Sequence, residues 1–257
     1  MKVAILISDN YLDAHHCHFV SRLNSCADVV GAISFPRGKN RQMRLLQRHS
    51  FRNPLKVCSL VIGHCHNRKV SLARAEAFQA DRDILSSLTA VHVSSMQGAA
   101  ERARQWQVDA LFQLGAGIIR EPLLSATAGG VLSFHHGIMP LLKGLASPFW
   151  AITLNRPDCL GITLQQLNER LDEGAIMAQS TIEVRENDTF ADIVLRLDYT
   201  GADMIEPTVR LMDTRADCLT PPPGEGIYRS HPNLMDQLMF NRRLRVFCRE
   251  HCSRSSA

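Results

Sequence analysis

Short apolar runs alternate with helical patterns along the first part of the chain. Residues Lys2 to Ser8 form a continuous apolar run, which predicts a buried parallel strand. The segment Tyr11 to Asn24 predicts a helix, and Asp28 to Phe35 predicts a second strand. Such a β-α-β opening is typical of an α/β, Rossmann-like sheet, mostly parallel and twisted, with flanking helices. The loop after the first strand lacks a Gly-x-Gly-x-x-Gly sequence, so no dinucleotide cofactor is expected.

The alternation continues through residues 1–214, which we predict to form one domain. Further strands are predicted at 91–93, 109–114, 161–167 and 176–184, and further helices at 97–107, at 121–126 and from 188 onward. A proline-rich linker at 220–224 precedes a short C-terminal extension, for which we assign residues 215–257. Residues 36–80 fit this pattern least well, and we interpret them as an insertion or a lid. Their first half is strongly basic, which suits either a solvated helix with loops or a clamp over an anionic substrate.

The most informative stretch runs from residue 130 to residue 179. Val131 to Phe134 predicts a buried strand that presents His135 at its carboxyl end, where ligands of open α/β sheets bind. Ser147, followed by proline, predicts a helix start with this serine as the N-cap. A turn at 172–174 would return the Asp172 carboxylate toward the histidine. Together with the hydroxyl of Ser133, these groups are suited to acid–base chemistry on a carbonyl.

Several spaced elements of this stretch resemble the core of the folate-dependent formyltransferase family, which includes glycinamide ribonucleotide, methionyl-tRNA and amino-sugar formyltransferases. The family pattern is Asn-x-His-Pro-x-x-x-Pro, a glycine, a helix like Trp-Ala-Ile, a Gly-(Val/Thr)-Thr strand and Asp-x-Gly-x-Ile. This chain supplies the matching residues in register: His135, Pro140, Gly144, Trp150-Ala151-Ile152, Gly161-Ile162-Thr163 and Asp172-Glu173-Gly174-Ala175-Ile176. It departs at two positions, because Ser133 replaces the family asparagine and His136 replaces the proline that follows the histidine.

The resemblance implies an N10-formyltetrahydrofolate-dependent one-carbon transferase. The catalytic residues would be His135, Asp172 and Ser133, and the donor cosubstrate would be 10-formyltetrahydrofolate. The residues implied to hold the pterin ring lie in two segments: Gly115, Ala116, Gly117, Ile118 and Ile119, then Gln166, Leu167, Asn168 and Arg170. The acceptor would be the amine of a small metabolite, such as an amino sugar, an amino acid or a biosynthetic amine.

Two alternatives remain open at this point. Water could replace the amine, which would make the protein a 10-formyltetrahydrofolate hydrolase. The serine at position 133 also leaves room for a non-catalytic protein that binds folate or another metabolite, because a lost oxyanion donor slows such reactions strongly.

Composition excludes several other classes. The 257 residues are 45% hydrophobic and 21% charged, as in ordinary globular enzymes, and contain no apolar run long enough for a membrane span. A net charge of +4 does not indicate a nucleic-acid surface. The eight cysteines lack the spacing of a disulfide framework, and no secretory signal opens the chain. We therefore expect a cytoplasmic protein with no nucleic-acid or membrane partner, and a homodimer is compatible with these features.

Two histidine–cysteine clusters could in principle bind a metal. They are His15-His16-Cys17-His18 and His64-Cys65-His66, and the second would share a face if it were a strand. Neither contains a Cys-x-x-Cys or His-x-x-x-His spacing, so we predict no metal site. We expect the first cluster to help bind substrate, because the end of the first strand borders the same cleft.

Overall fold

The computed structural model describes residues 1–8, 12–36, 54–81, 83–213 and 226–252. Most of the strongly basic half of the predicted lid, residues 37–53, lies outside the described residues, as does the proline-rich linker.

A seven-stranded sheet forms the centre of the protein. The strands of the molecule are β1 (Lys2–Ser8), β2 (Asp28–Phe35), β3 (Ala90–His92), β4 (Ala110–Gln113), β5 (Val131–His135), β6 (Leu142–Gly144), β7 (Gly161–Gln166), β8 (Ala175–Thr181) and β9 (Ile227–Arg229). The order in the central sheet is β3-β2-β1-β4-β5-β7-β8. Strands β1 to β5 are parallel, whereas β7 runs antiparallel to both β5 and β8. The predicted Rossmann-like, mostly parallel sheet is confirmed.

Helices cover both faces of this sheet. Their bounds are α1 (Ala14–Asn24), α2 (Pro54–Ala77), α3 (Ile84–Ser87), α4 (Met96–Trp106), α5 (Ser147–Thr153), α6 (Phe190–Asp203), α7 (Ile205–Asp213) and α8 (Leu234–His251). Alternate residues of β1 contribute to two separate cores: Val3, Ile5 and Ile7 pack with α1, α5, α6 and α8, while Ala4 and Leu6 pack with α4. Burial on both faces explains why this strand is continuously apolar.

The structure corrects two local predictions. Residues 121–126, predicted as a helix, form consecutive turns. The Glu121 carboxylate accepts hydrogen bonds from the backbone N and Oγ of Ser125, an arrangement that competes with a helix too short to form by itself. The N-cap of α5 is Ala146, with φ of 57°, and Ser147 is the first helical residue. The Ser147 hydroxyl is thereby placed near the histidine of β5.

A second, small sheet joins the C-terminal part of the chain to the segment that follows β5. Strand β9 pairs in parallel with β6, and α8 packs against α2 and α5. The pairing needs close backbone contact, because a side chain on Gly144 would collide with the Arg229 carbonyl and one on Gly226 with the Pro140 carbonyl. Both glycines also have positive φ, at 96° and 89°, which other residues rarely adopt. Strand β6 is therefore held in place by β9, which belongs to the C-terminal part of the chain.

Across the described ranges, each helix is too short or too polar to cross a membrane.

Candidate active site

His135 lies at the carboxyl end of β5, in a buried position. Its Nε2 is 2.9 Å from the Leu142 carbonyl oxygen, and the Ser147 Oγ lies 3.4 Å from the same nitrogen. A carbonyl oxygen can only accept, so Nε2 carries the hydrogen and donates a hydrogen bond to the Leu142 carbonyl. The other ring nitrogen, Nδ1, consequently has a lone pair when the imidazole is neutral.

Asp172 faces that lone pair. Its Oδ1 lies 3.6 Å from His135 Nδ1, and its Oδ2 accepts a 2.7 Å hydrogen bond from the backbone N of Gly144. Asp172 has φ of 53°, a left-handed conformation that Asp and Asn adopt more readily than most residues. Both members of the pair are thus anchored to the same short strand, β6, through Leu142 and Gly144.

The surroundings of His135 favour its neutral form. Burial lowers the pKa of the imidazole, and the Asp172 carboxylate and the Leu142 carbonyl oppose this only in part. A neutral ring can accept a proton at Nδ1, and the resulting imidazolium would be stabilised by Asp172 on one side and Leu142 on the other. The pair can therefore take up and return one proton next to a reacting group.

Ser133 is on the same face of β5 as His135, but its side chain forms a hydrogen bond to the neighbouring strand, β4. Its Oγ lies 2.6 Å from Oε1 of Gln113, the residue opposite it on β4. The Gln113 Nε2 in turn donates a 2.7 Å hydrogen bond to the Gly117 carbonyl. The expected amide position is thus filled by a serine that contacts an amide on the neighbouring strand. Gln113 is not among the residues predicted from the sequence, where its signal is a polar residue at the end of an apolar strand.

The predicted glycine-containing loop lies at the carboxyl end of β4. Gly115 and Gly117 have φ of 77° and 86°. Ala116 and Ile119 are buried, while Ile118 is 59% exposed. A Cβ on Gly117 would have no described heavy atom within 4 Å. The loop therefore offers an open backbone surface beside an exposed apolar side chain.

The second predicted segment follows β7 and is held by its own polar groups. Gln166 Nε2 donates to the Gly129 carbonyl, and Asn168 Nδ2 donates to the Glu173 carbonyl. Leu167 packs on the same apolar cluster as Ala116 and Ile119 of the glycine loop. The two segments thus border one apolar cluster.

Charged and polar side chains hold the turn that carries Asp172, and of these Lys143 and Gln165 were not singled out from the sequence. Lys143, 5% exposed, donates a 3.0 Å hydrogen bond to the Glu173 carboxylate, and Arg170 lies 3.5 Å from the same carboxylate. Gln165, buried in β7, accepts a hydrogen bond from the backbone N of Gly174. These contacts restrain the turn on both sides of Asp172.

His136 points away from Ser133 and His135 into a buried ion cluster. Its Nε2 lies 3.2 Å from Asp198, which also accepts two hydrogen bonds from Arg74, at 2.6 and 2.7 Å. Burial acts to raise the pKa of Asp198, but the bonds from His136 and Arg74 outweigh it and lower the pKa. A charged residue among the apolar positions of α6 was the sequence signal for this cluster.

The first histidine cluster meets at the start of α1. Ligand atoms of Asp13, His15 and His16 lie within 4.8 Å of one another, and an added Cβ on Gly115 would be 3.3 Å from the His16 ring. Burial lowers the pKa of His15, whose Nδ1 has no partner among the described residues, and lowers that of His16 to about 4. The group therefore consists of neutral imidazoles beside the glycine loop.

The other residues of the two histidine–cysteine clusters do not join this group. Cys17 is buried in the apolar core, and His18 contacts Asp81 at 2.8 Å. His64 and His66 lie on α2, where residues two apart point in different directions, so they do not share a face as they would on a strand. The absence of a metal site stays a prediction.

Comparisons with known proteins agree with this architecture. The family model described as formyl transferase matches residues 1–207, and the chain belongs to this family. Methionyl-tRNA formyltransferase of Anaeromyxobacter sp. (strain K) is 30% identical over 99 residues, which cover 38% of this chain and 31% of that protein. The enzyme of the same name from Chlorobium chlorochromatii (strain CaD3) is 25% identical over 185 residues, covering 71% and 58%. The chain thus spans less than two thirds of these relatives.

Solved structures show the same fold. Glycinamide ribonucleotide transformylase 1 from Symbiobacterium toebii matches with a TM-score of 0.56 and 19% identity, covering 84% of this chain and 88% of that one. A sugar N-formyltransferase from Shewanella sp FDAARGOS_354 also gives 0.56, at 17% identity and 90% and 76% coverage. The N-formyltransferase from Helicobacter canadensis, solved with folinic acid and dTDP-3-aminofucose, gives 0.56 at 14% identity, covering 98% and 83%. Family and fold support a formyl-transferring enzyme.

Proposed function

We propose that this protein transfers a formyl group from 10-formyltetrahydrofolate to the amine of a small metabolite, such as an amino sugar, an amino acid or a biosynthetic amine. The observation that carries the proposal is the His135–Asp172 pair, a buried neutral imidazole whose lone pair faces a carboxylate at the edge of the sheet. Formyl transfer to an amine needs a group that removes a proton from the attacking nitrogen and returns one to the leaving nitrogen. This pair can do both.

The donor fits the open surface at the glycine loop. Its ring would lie against Gly117 and Ile118, and Leu167 would border it from the segment after β7. An uncrowded backbone and an exposed apolar side chain suit a flat heterocycle that needs both stacking and hydrogen bonds to main-chain groups. The donor would supply the formyl carbon, and the protein would supply position and proton transfer.

The proton is passed between two residues of the chain. As the amine attacks the formyl carbon, its proton passes by way of the Asp172 carboxylate to His135 Nδ1. The ring holds the proton there while Nε2 keeps its hydrogen bond to the Leu142 carbonyl. Return of the proton to the departing nitrogen leaves His135 neutral again, so no net proton is gained or lost by the protein. Asp172 stabilises the transient imidazolium.

The acceptor would enter beside α1. His15 and His16 are neutral rings next to the glycine loop. Such rings can donate to phosphate oxygens, and can donate to or accept from hydroxyl groups, of a small metabolite. Methionyl-tRNA, a much larger acceptor, is left to experiment, because the relatives named methionyl-tRNA formyltransferase are matched over only part of their length.

The experiment is a panel of acceptors with 10-formyltetrahydrofolate as donor, following release of tetrahydrofolate and the mass of the acceptor. The panel contains an amino-sugar nucleotide, glycinamide ribonucleotide, a free amino acid and methionyl-tRNA. We expect release that depends on one small amine, together with a mass gain of one formyl group on it. Equal release without amine would indicate a hydrolase, and donor binding without release would indicate a binding protein; either result contradicts the proposal.

A further inference from the structure

The orientation of the Gln113 side chain fixes where the hydroxyl hydrogen of Ser133 points. The Gly117 oxygen can only accept, so the group 2.7 Å from it must be the Gln113 NH2. The Gln113 Oε1 therefore faces Ser133, and because this oxygen also only accepts, the hydroxyl must donate across the 2.6 Å contact. The hydrogen of Ser133 is committed to Gln113 and is not directed at a ligand.

Three further donors at or near His135 are committed as well. His135 gives its single ring hydrogen to the Leu142 carbonyl. The backbone N–H groups of Gly137 and Ile138 donate to the carbonyls of His135 and Cys159. The tetrahedral intermediate of formyl transfer carries a negative oxygen, which needs a fixed donor in the site. The Ser133 hydroxyl, the His135 ring and these two backbone groups are therefore not free to supply it.

The Gln113 amide has the required hydrogen. An NH2 group carries two hydrogens, and in the described part of the chain only the bond to Gly117 uses one of them. Gln113 is half-buried at the carboxyl end of β4, directly opposite Ser133 in the parallel register, at the usual inter-strand spacing of roughly 4.8 Å. His135 follows two residues along β5 on the same face as Ser133, about 6.6 Å further.

We propose that Gln113 is a catalytic residue whose Nε2 donates to the formyl oxygen as it becomes an oxyanion, and that Ser133 is a positioning residue that holds the amide. This inference rests on the proposed formyl transfer. The amide donor sits on β4 in this chain, one strand away from the position at which its family has asparagine. Gln165, opposite Ser133 on β7, completes the row by anchoring the Asp172 turn through Gly174. Gln113, Ser133 and Gln165 thus form a row across three neighbouring strands. This row positions the proposed oxyanion donor, Gln113, and the turn that carries Asp172.

The test measures kcat and KM with 10-formyltetrahydrofolate and the best amine of the panel. Gln113→Leu should lower kcat by roughly 100- to 1000-fold with little change in the donor KM, because the bond strengthens in the transition state. Gln113→Glu keeps the shape of the side chain but replaces the donating NH2 with an ionised acceptor, so the same loss in kcat is expected. This variant keeps the test valid if the leucine variant folds poorly. Gln97→Leu, which removes a surface amide bonded to Glu101, is the matched control and should retain full activity.

Ser133 is tested through its coupling to Gln113. Ser133→Ala should lower kcat by roughly 10-fold or more, since the amide loses its support, and Ser133→Thr should restore it. Adding Ser133→Ala to Gln113→Leu should cause no further loss, because the serine acts only through the amide. Multiplying losses in the double variant, or wild-type kcat in both Gln113 variants, would overturn the inference while formyl transfer by the wild type stands. A wild type that neither transfers nor releases formyl would overturn the proposed function and this inference together.

Discussion

The two ring nitrogens of His135 have separate tasks that their neighbours determine. Nε2 lies against Leu142 and Ser147, and its hydrogen bond holds the ring, while Nδ1 faces Asp172, where the proposed mechanism places the transferred proton. Under the proposed mechanism, the chemistry depends on the charge of Asp172, and the orientation of the ring depends on the carbonyl of Leu142.

Asp172→Asn should remove turnover and leave the fold intact. Asparagine tolerates φ near 53° as aspartate does, and its amide oxygen can still accept from Gly144, so the melting temperature should barely move. The neutral amide cannot stabilise an imidazolium, and we expect kcat to fall by at least 100-fold. The measurement is steady-state release of tetrahydrofolate alongside thermal unfolding.

Asp158→Asn is the matched control for this substitution. Asp158 forms an exposed ion pair with Arg156 and lies outside the proposed site, so this variant should keep the wild-type rate and melting temperature. A variant at position 172 that keeps more than about a tenth of the wild-type rate, a loss under about 1.4 kcal/mol, would contradict the proton-transfer role.

At the scale of elements, α2 is tied to the domain by an ion cluster in its interior. Arg74, near the end of α2, holds the Asp198 carboxylate of α6, and His136 from the segment after β5 completes the cluster. Asp198 is fully buried, so its charge depends on these partners.

Arg74→Met should destabilise the protein by about 3 kcal/mol, because it leaves a buried carboxylate without its main partner. Arg22→Met is the matched control: it removes an arginine that pairs with another aspartate of α6, Asp203, but both side chains there are about half exposed or more. That substitution should cost under about 1 kcal/mol. Urea unfolding of both variants gives the comparison. Equal losses would show that burial does not decide the strength of this cluster.

Much of the element pattern could be predicted from periodicity, and the failures have local causes. β1 and β2 were predicted at their observed bounds because each is a continuous apolar run between polar loops. The predicted helix at 121–126 failed because a side-chain bond within the segment replaces a helical turn. His135 and Asp172 could be placed near each other from the strand and the turn, but Gln113 could not, because its role depends on cross-strand register. Arg74 and Asp198 are 124 positions apart, and no local pattern connects them.

At the scale of the whole molecule, the buried histidines make stability depend on pH. Burial lowers the pKa of His15 and His135, and lowers that of His16 to about 4. In the unfolded chain each would bind a proton near pH 6.5. Below that pH the unfolded state binds protons at these histidines and the folded state does not. The free energy of unfolding therefore falls as pH decreases, by up to about 1.4 kcal/mol per pH unit for each histidine.

We therefore expect urea unfolding to show a marked loss of stability between pH 6.5 and pH 5, above the range in which carboxylates usually titrate. His15→Phe removes one of the three groups and retains an aromatic ring against Phe19, so its slope with pH should be shallower by up to about 1.4 kcal/mol per unit. A slope identical to the wild type would mean that His15 is not held neutral in the folded protein.

Chelation should leave both activity and melting temperature unchanged. The proposed chemistry relies on proton transfer by the His135–Asp172 pair, and none of its steps uses a cation. Elemental analysis and prolonged dialysis against EDTA provide the measurement. Stoichiometric zinc that is lost together with activity would refute this prediction and would direct mutagenesis to Asp13, His15 and His16.

The pairing of β9 with β6 has a consequence for the order in which the protein is made. Leu142 and Gly144, which hold His135 and Asp172, emerge from the ribosome well before Ile227 to Arg229, their partners in the small sheet. At roughly 5–20 residues per second, the nascent chain spends several seconds with the strands of its central sheet synthesised and β6 unpaired. Catalytic competence should therefore appear late in synthesis, when the chain closes on itself at Gly144 and Gly226.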